Sequence, residues 1–177
     1  MPGAIEKASA LLPELDLHIY GPASRDDVLA FRCASYGDKA AKTAEDLIHK
    51  AVDQVPGFGI QGPFFVIARY HGELVGAVVF GLENPDDPAV TIFTLGVALS
   101  RQRQGIGTAL KKIAMATAVA MPSWPNAVAS NVHRTNYKMN GLNDNLGIAR
   151  DPDPKDGEFF ITGATVEMVD GDVRVAE

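Results

Sequence analysis

Residues Gln102–Gly107 spell Q-R-Q-G-I-G, and the hexapeptide joins two unlike stretches of chain. Before it runs TIFTLGVAL, Thr91–Leu99, an apolar strand-like segment. After it runs TALKKIAMATAVA, with Ile106, Leu110 and Ile113 at helical spacing. The first turn of a helix carries N–H groups without intrahelical acceptors, and the helix dipole adds partial positive charge there. Glycines at Gly105 and Gly107 let a ligand approach those groups without meeting a Cβ. Such a bend suits the gripping of a phosphorylated ligand, with Arg101 and Arg103 alongside. The ordinary alternative is a strand-to-helix turn whose glycines serve only the backbone. The G-K-[ST] signature of a P-loop is absent, as is a full G-x-G-x-x-G with its distal acidic residue.

The elements that must position this bend can be read on either side. LDLHIY, Leu15–Tyr20, alternates as a strand. Ser24 with Asp27, and Thr43 with Asp46, have the spacing of capping boxes. They predict helices over about 25–35, holding Val28, Phe31 and Cys33, and from Thr43 to Pro56-Gly57. FFVIARY and ELVGAVVF flank His71-Gly72 as a hairpin, and the fourth strand runs from Val90 to Leu99. The glycine bend then opens a helix to Ala120. NAVAS, Asn126–Ser130, is a fifth strand, and Asn136–Leu146 a helix closed by Gly147. Asp151–Gly157 reads as a polar loop, and Phe159–Val169 as one or two closing strands. The order β-α-α-β-β-β-α-β-α-β predicts one mixed sheet with helices on its faces. Residues 1–14 form an N-terminal arm and residues 15–177 a single domain.

Composition narrows the function. A net charge of −6 argues against nucleic acid as a partner. One cysteine, Cys33, leaves no internal disulfide and no cysteine-rich metal site, and no metal is expected. No apolar run approaches the ~20 residues of a membrane span, and no basic n-region precedes an apolar stretch. The expectation is a cytoplasmic protein without a membrane partner, with homodimerisation left open.

The hexapeptide, placed after a fourth strand, resembles the Q/R-x-x-G-x-G/A motif of the GNAT acetyltransferases. The hairpin FFVIARYHGELVGAVVF is similar to that family's second and third strands. Asn136-x-x-Met139-x-x-x-Asn143-x-x-Leu146-Gly147-Ile148 resembles a subgroup pattern N-x-x-M-x-x-x-N-x-x-L-G-F, and Lys111 after Ala109-Leu110 suits the same subgroup. The likeness spans Leu15 to Ile148. It implies an α/β fold with a mixed, mostly antiparallel sheet, helices on both faces and a splay between strands 4 and 5. Acetyl-CoA would be the cosubstrate, its pantetheine arm bonded to backbone groups of Leu95 and Val97. Its pyrophosphate would lie against the segment formed by Gln102, Arg103, Gln104, Gly105, Ile106, Gly107 and Thr108. Asn136 and Asn143 are seven residues apart and share a helix face, which suits amide contacts to pantetheine. Helix capping by one and surface exposure of the other is the alternative.

Two departures from the family bear on catalysis. Many members carry a tyrosine that protonates the departing thiolate where this chain has Asn143, and an amide supplies no proton. Tyr137 lies six residues earlier, about 240° around the helix. Many members also place a glutamate on the fourth strand as general base, whereas TIFTLGVAL has no ionisable group. His133 and Tyr137 are the candidate catalytic residues, and Glu83, Asp86 and Asp87 further candidates for a base. The expected function is transfer of acetyl from acetyl-CoA to an amine of a small molecule or peptide. The rival readings are an inactive CoA-binding sensor or interaction module, a longer-chain acyltransferase, and a nucleotide-binding module using the same turn.

Overall fold

The computed structural model describes residues 3, 12–54, 63–82 and 86–176. Among these residues the elements are β1 Leu15–Ile19, α1 Arg25–Ala30, α2 Lys39–Gln54, β2 Phe64–Tyr70, β3 Glu73–Gly81, β4 Val90–Val97, α3 Ile106–Ala120, β5 Ala127–His133, α4 Tyr137–Asn145, β6 Ala149–Pro152, β7 Phe159–Val169 and β8 Asp172–Val175. The strands lie side by side as β1-β2-β3-β4-β5-β7-β6, with β8 beside β7. Every pairing is antiparallel except β4 with β5.

Strands β2 and β3 are buried on both faces, which is why they read as unbroken apolar runs. In β2, Val66 and Ala68 face a core capped by α3, together with Leu110, Ile113 and Met115. Phe65 and Ile67 face the opposite core, beneath α1 and α2, with Val28, Ile48 and Val52. The hairpin between β2 and β3 turns on His71 and Gly72 at φ 48° and 82°, the pair of positive angles that a two-residue turn of matching twist requires.

A bulge in β4 decides what reaches the cleft. Ile92 pairs with Phe80 and Thr94 with Val79, so Phe93 is one residue too many on β4. An extra residue inverts the alternation of faces beyond it. Ile92 therefore joins the core under α3, while Thr94 turns to α2 and donates its hydroxyl to the carbonyl of Ala44 at 3.0 Å. Leu95 and Val97 are thereby returned to the α3 side, where both pack against that core.

Several expectations are corrected. Helix α1 stops at Ala30, not Ser35, and Cys33 is buried in a non-helical segment. Its local backbone donors go elsewhere: the Glu45 carboxylate of α2 accepts from the N–H groups of Cys33 at 3.0 Å and Ala34 at 3.3 Å. Arg32 also draws the carbonyls of Leu29 and Phe31 onto its guanidinium, at 2.9 and 2.7 Å. Neither expected capping box forms. A 3-10 turn, Pro22–Ser24, precedes α1, and the Ser24 hydroxyl accepts from Arg69 instead. Helix α2 begins at Lys39, where Asp38 Oδ1 accepts from Ala41 N–H at 3.0 Å. Thr43 lies inside the helix and donates to the carbonyl of Lys39. The fifth strand runs on to His133, and the C-terminal region adds β6 and β8 to the long β7. The helix end at Pro56-Gly57, most of the N-terminal arm and Glu83 lie outside the described residues. No helix among the described residues is long and apolar enough to cross a membrane.

Candidate active site

Strands β4 and β5 pair only at Val90 with Val128 and Thr91 with Ala129. Beyond that point they diverge, and the edge of β4 facing β5 has no strand partner. Unpaired strand-edge groups are a template for an extended ligand carrying amides. The divergence opens a cleft with two connected hollows.

The first, of about 590 Å³, is walled by Leu95, Gly96 and Val97 of β4, by Gln102, Arg103, Gly105, Gly107 and Thr108 of the bend, and by Met139, Gly141, Leu142 and Asn145 of α4. The second, of about 720 Å³, lies between α2, residues 92–95 of β4 and residues 130–133 of β5. Leu95, Arg103 and residues 136–139 border both. Asp38 also borders both, and its carboxylate approaches the Lys138 ammonium to 3.7 Å.

The bend has the geometry of a backbone cradle. Arg103 and Gly105 both have positive φ, 64° and 81°, and Gly105 is the N-cap of α3. The first helical bond at this end is Ala109 N–H to the Gly105 carbonyl at 3.0 Å, so the N–H groups of Ile106, Gly107 and Thr108 precede any intrahelical acceptor. Successive donors around left-handed residues form an anion-binding concavity. Gly107 supplies room: a Cβ there would stand 3.0 Å from Leu142 Cδ1 and 3.6 Å from Val97 Cγ2. Gln102 fixes the approach, donating Nε2 to the carbonyls of Val97 at 3.2 Å and Cys33 at 3.3 Å.

The sequence fits the model of the acetyltransferase (GNAT) family over residues 28–142. The chain belongs to the GNAT acetyltransferase family. Acetyl-CoA is the cosubstrate of that family, and the unpaired first-turn donors and the open strand edge suit its diphosphate and its amides. No curated protein matches the sequence. Solved structures share the fold at low identity. A GNAT-family protein from Desulfovibrio desulfuricans is 14% identical with a TM-score of 0.65, over 85% of this chain and 98% of that one. The PaiA N-acetyltransferase of Thermoplasma acidophilum, solved in complex with coenzyme A, is 13% identical with a TM-score of 0.59, over 84% and 97%. The ribosomal-protein-S18-alanine N-acetyltransferase of Escherichia coli is 14% identical with a TM-score of 0.57, over 88% and 96%.

Within this GNAT domain the site residues expected from sequence divide. Leu95, Val97, Gln102, Arg103, Gly105, Gly107, Thr108 and Asn136 border the first hollow. Arg101 turns away, stacked 4.5 Å over the Tyr70 ring. Gln104 and Ile106 border a separate hollow with Leu12 and Tyr70. Asn136 caps α4, its Oδ1 accepting from Met139 N–H at 3.1 Å. Asn143 is wholly buried behind the cleft wall, and its Oδ1 accepts from the Lys111 ammonium. The two asparagines thus do different work despite their shared helical spacing.

The candidate catalysts both reach the second hollow. His133 borders it with Nδ1 2.7 Å from the Thr135 hydroxyl and Nε2 3.7 Å from a Glu158 carboxylate oxygen. Tyr137 is exposed at its rim. Asp86 and Asp87 border neither hollow. Cys33, remote from the glycine bend in sequence, borders the first hollow, yet burial, then Glu45 and Asp38, push its thiol up to about 12. A thiol held protonated is a poor nucleophile.

Sequence reasoning gave Lys111 no site role. It lies in the second turn of α3, on the far side of the sheet, and borders the second hollow where β4 and β5 part. Only 2% of it is exposed, and burial pushes its ammonium down to about 8. A lysine between Leu110 and Lys112 on a helix reads as a solvated charge, and nothing local marks it as buried. Glu45, Asp46 and His49 also bring ligand-type atoms together on α2. Glu45 there is occupied by Lys42 and two backbone N–H groups.

Proposed function

We propose that this domain, residues 15–177, transfers the acetyl group of acetyl-CoA to an amine by direct attack on the thioester. The observation that carries the reading is the coincidence of two features in one cleft: the open edge of β4 and the unpaired donors of the α3 bend. Backbone N–H groups from Arg103 to Thr108 take the diphosphate, and Arg103 adds charge beside it. The pantetheine arm runs along Leu95 and Val97 toward the divergence, with Asn136 at the opposite wall. The thioester then faces the second hollow, through which the acceptor enters between α2 and β5.

Alignment of an amine with an already activated carbonyl supplies much of the acceleration. The amine must arrive unprotonated or lose its proton on the way. His133, held between Thr135 and Glu158 at the hollow, is the residue placed to accept it directly or through water. No acyl-enzyme is formed in this scheme, because the one thiol at the cleft is protonated at neutral pH.

The test is release of free CoA thiol from acetyl-CoA across polyamines, aminoglycosides, amino acids and peptide N-termini. Turnover with at least one class supports transfer. The absence of an ionisable group on β4 favours a second reading, a CoA-binding module without turnover. Tight CoA binding with no thiol release over the whole panel would favour it.

A further inference from the structure

We propose that Lys111 is the proton donor to the departing CoA thiolate, and that Asn143 is the residue that positions it. The inference rests on the acetyl-transfer reading above and deepens it.

The geometry supplies a proton donor at the buried back of the cleft, where the other titratable side chains of the hollow stand at its more open walls. Lys111 reaches the second hollow from behind the sheet, at the gap where the thioester end of an extended pantetheine arm must lie. Asn143 Oδ1 accepts one of its three N–H bonds and fixes the side chain from α4. Asn143 itself is buried, and its Nδ2 has no acceptor among the described residues, so its amide serves the lysine alone. The other titratable side chains around that hollow are Asp38, Lys39, Arg103, His133, Tyr137 and Lys138. No carboxylate among the described residues pairs with Lys111, and burial lowers its ammonium. A buried ammonium without a counter-charge is costly to keep unless an anion arrives beside it. A thiolate released at this point is such an anion.

The step balances. The amine nitrogen bonds to the acetyl carbon, the C–S bond breaks, and its electron pair stays on sulfur. Lys111 Nζ gives that sulfur a proton and CoA leaves as the thiol. The new amide nitrogen gives its surplus proton to water, and the neutral lysine regains one from water as products depart. Burial lowers the Lys111 ammonium to about 8 and so makes it a stronger acid than an exposed lysine, which favours proton transfer to a thiolate.

The test needs no acceptor. CoA is bound to the full chain and to Lys111→Met, binding is confirmed by calorimetry, and the thiol of bound CoA is titrated by its ultraviolet thiolate absorbance against a desulfo-CoA blank. A nearby cation should lower the bound thiol's pKa by at least about one unit relative to free CoA. The shift should vanish in Lys111→Met and shrink in Asn143→Ala. A bound thiol that titrates as in free CoA overturns the assignment, and the wild-type titration alone decides this even where the Met variant does not fold. An equal shift in wild type and Lys111→Met also overturns it. Acetylation of Lys111 on incubation with acetyl-CoA, read by intact and peptide mass, would make it an acceptor and overturn it as well. Failure of wild type to bind CoA at all would instead bring down the acetyl-transfer reading.

Discussion

Replacing Gly107 with valine should separate binding from folding. Gly107 is the second residue of α3, and its φ lies in the ordinary helical range. A side chain there is worth up to a few tenths of a kcal/mol of helix propensity over glycine, about 0.3–0.5 kcal/mol. Against that gain, Leu142 Cδ1 stands 3.0 Å from the new Cβ and must yield by a fraction of an ångström, which a terminal methyl on a leucine can do. The net change in stability should stay within about 1 kcal/mol, a shift of about 2–4 °C in Tm for a chain of this size. The two γ-carbons are another matter. Gly107 lines the first hollow beside Val97 and Leu95 of β4, 3.6 and 3.9 Å from the Cβ, so carbons beyond that Cβ take up space that a bound ligand needs. Overpacking of a close-fitted site costs about 1–3 kcal/mol, and here the cost falls on the complex. The CoA dissociation constant should therefore rise by about tenfold or more. Gly105→Ala is the matched control. Its φ of 81° is unfavourable for alanine, while its Cβ would meet only Leu12 at 3.6 Å and beyond, so it should cost about 1–2 kcal/mol of folding stability. Calorimetric titration with CoA and thermal melts on both variants decide the matter. A folded Gly107→Val protein with wild-type CoA affinity would refute the reasoning.

Gln102→Leu removes the donor shared by the Val97 and Cys33 carbonyls and should cost about 1 kcal/mol in urea unfolding, with weaker CoA binding as the bend loosens. Burial raises the pKa of Glu45, but the Lys42 ammonium and the N–H groups of Cys33 and Ala34 outweigh it and hold the carboxyl below its ordinary value. Its stabilisation is full above the unfolded value of about 4.3 and is lost as pH falls through the lower folded value. Glu45→Gln should accordingly lower stability at neutral pH and flatten the acid limb of a stability-versus-pH curve. Cys33, 3% exposed and with its thiol pushed up to about 12, should react with an aromatic disulfide reagent at pH 8 far more slowly in the native protein than in urea.

Local patterns revealed most of the fold. The runs of β2 and β3, the His71-Gly72 turn and the apolar spacing of α3 each follow from short-range periodicity and turn chemistry. Structure set by distant partners was not legible. The end of α1 at Ala30 depends on the carboxylate of Glu45, contributed from α2. The start of α2 depends on Asp38, one residue outside the helix, while the more conventional Thr43 pattern lies within it. Strand β6 is exposed along its length and so lacks alternation, and β8 is signalled only by the Asp170-Gly171 turn, both at positive φ. At the site, the glycine bend could be read because its requirement is backbone. The roles of Asn136 and Asn143 could not: one faces a cap and the other a lysine on a different helix. Lys111 stayed hidden for the same reason, since the gap that sets it at the border of the cleft is a product of two strands parting.

The most direct test compares CoA with pantetheine, which carries the amides and thiol but no diphosphate. If the donors of the α3 bend grip the diphosphate, calorimetry should show CoA binding at least about 100-fold more tightly, a difference of about 2.7 kcal/mol. Equal affinity for the two, or no binding of CoA, would contradict the account.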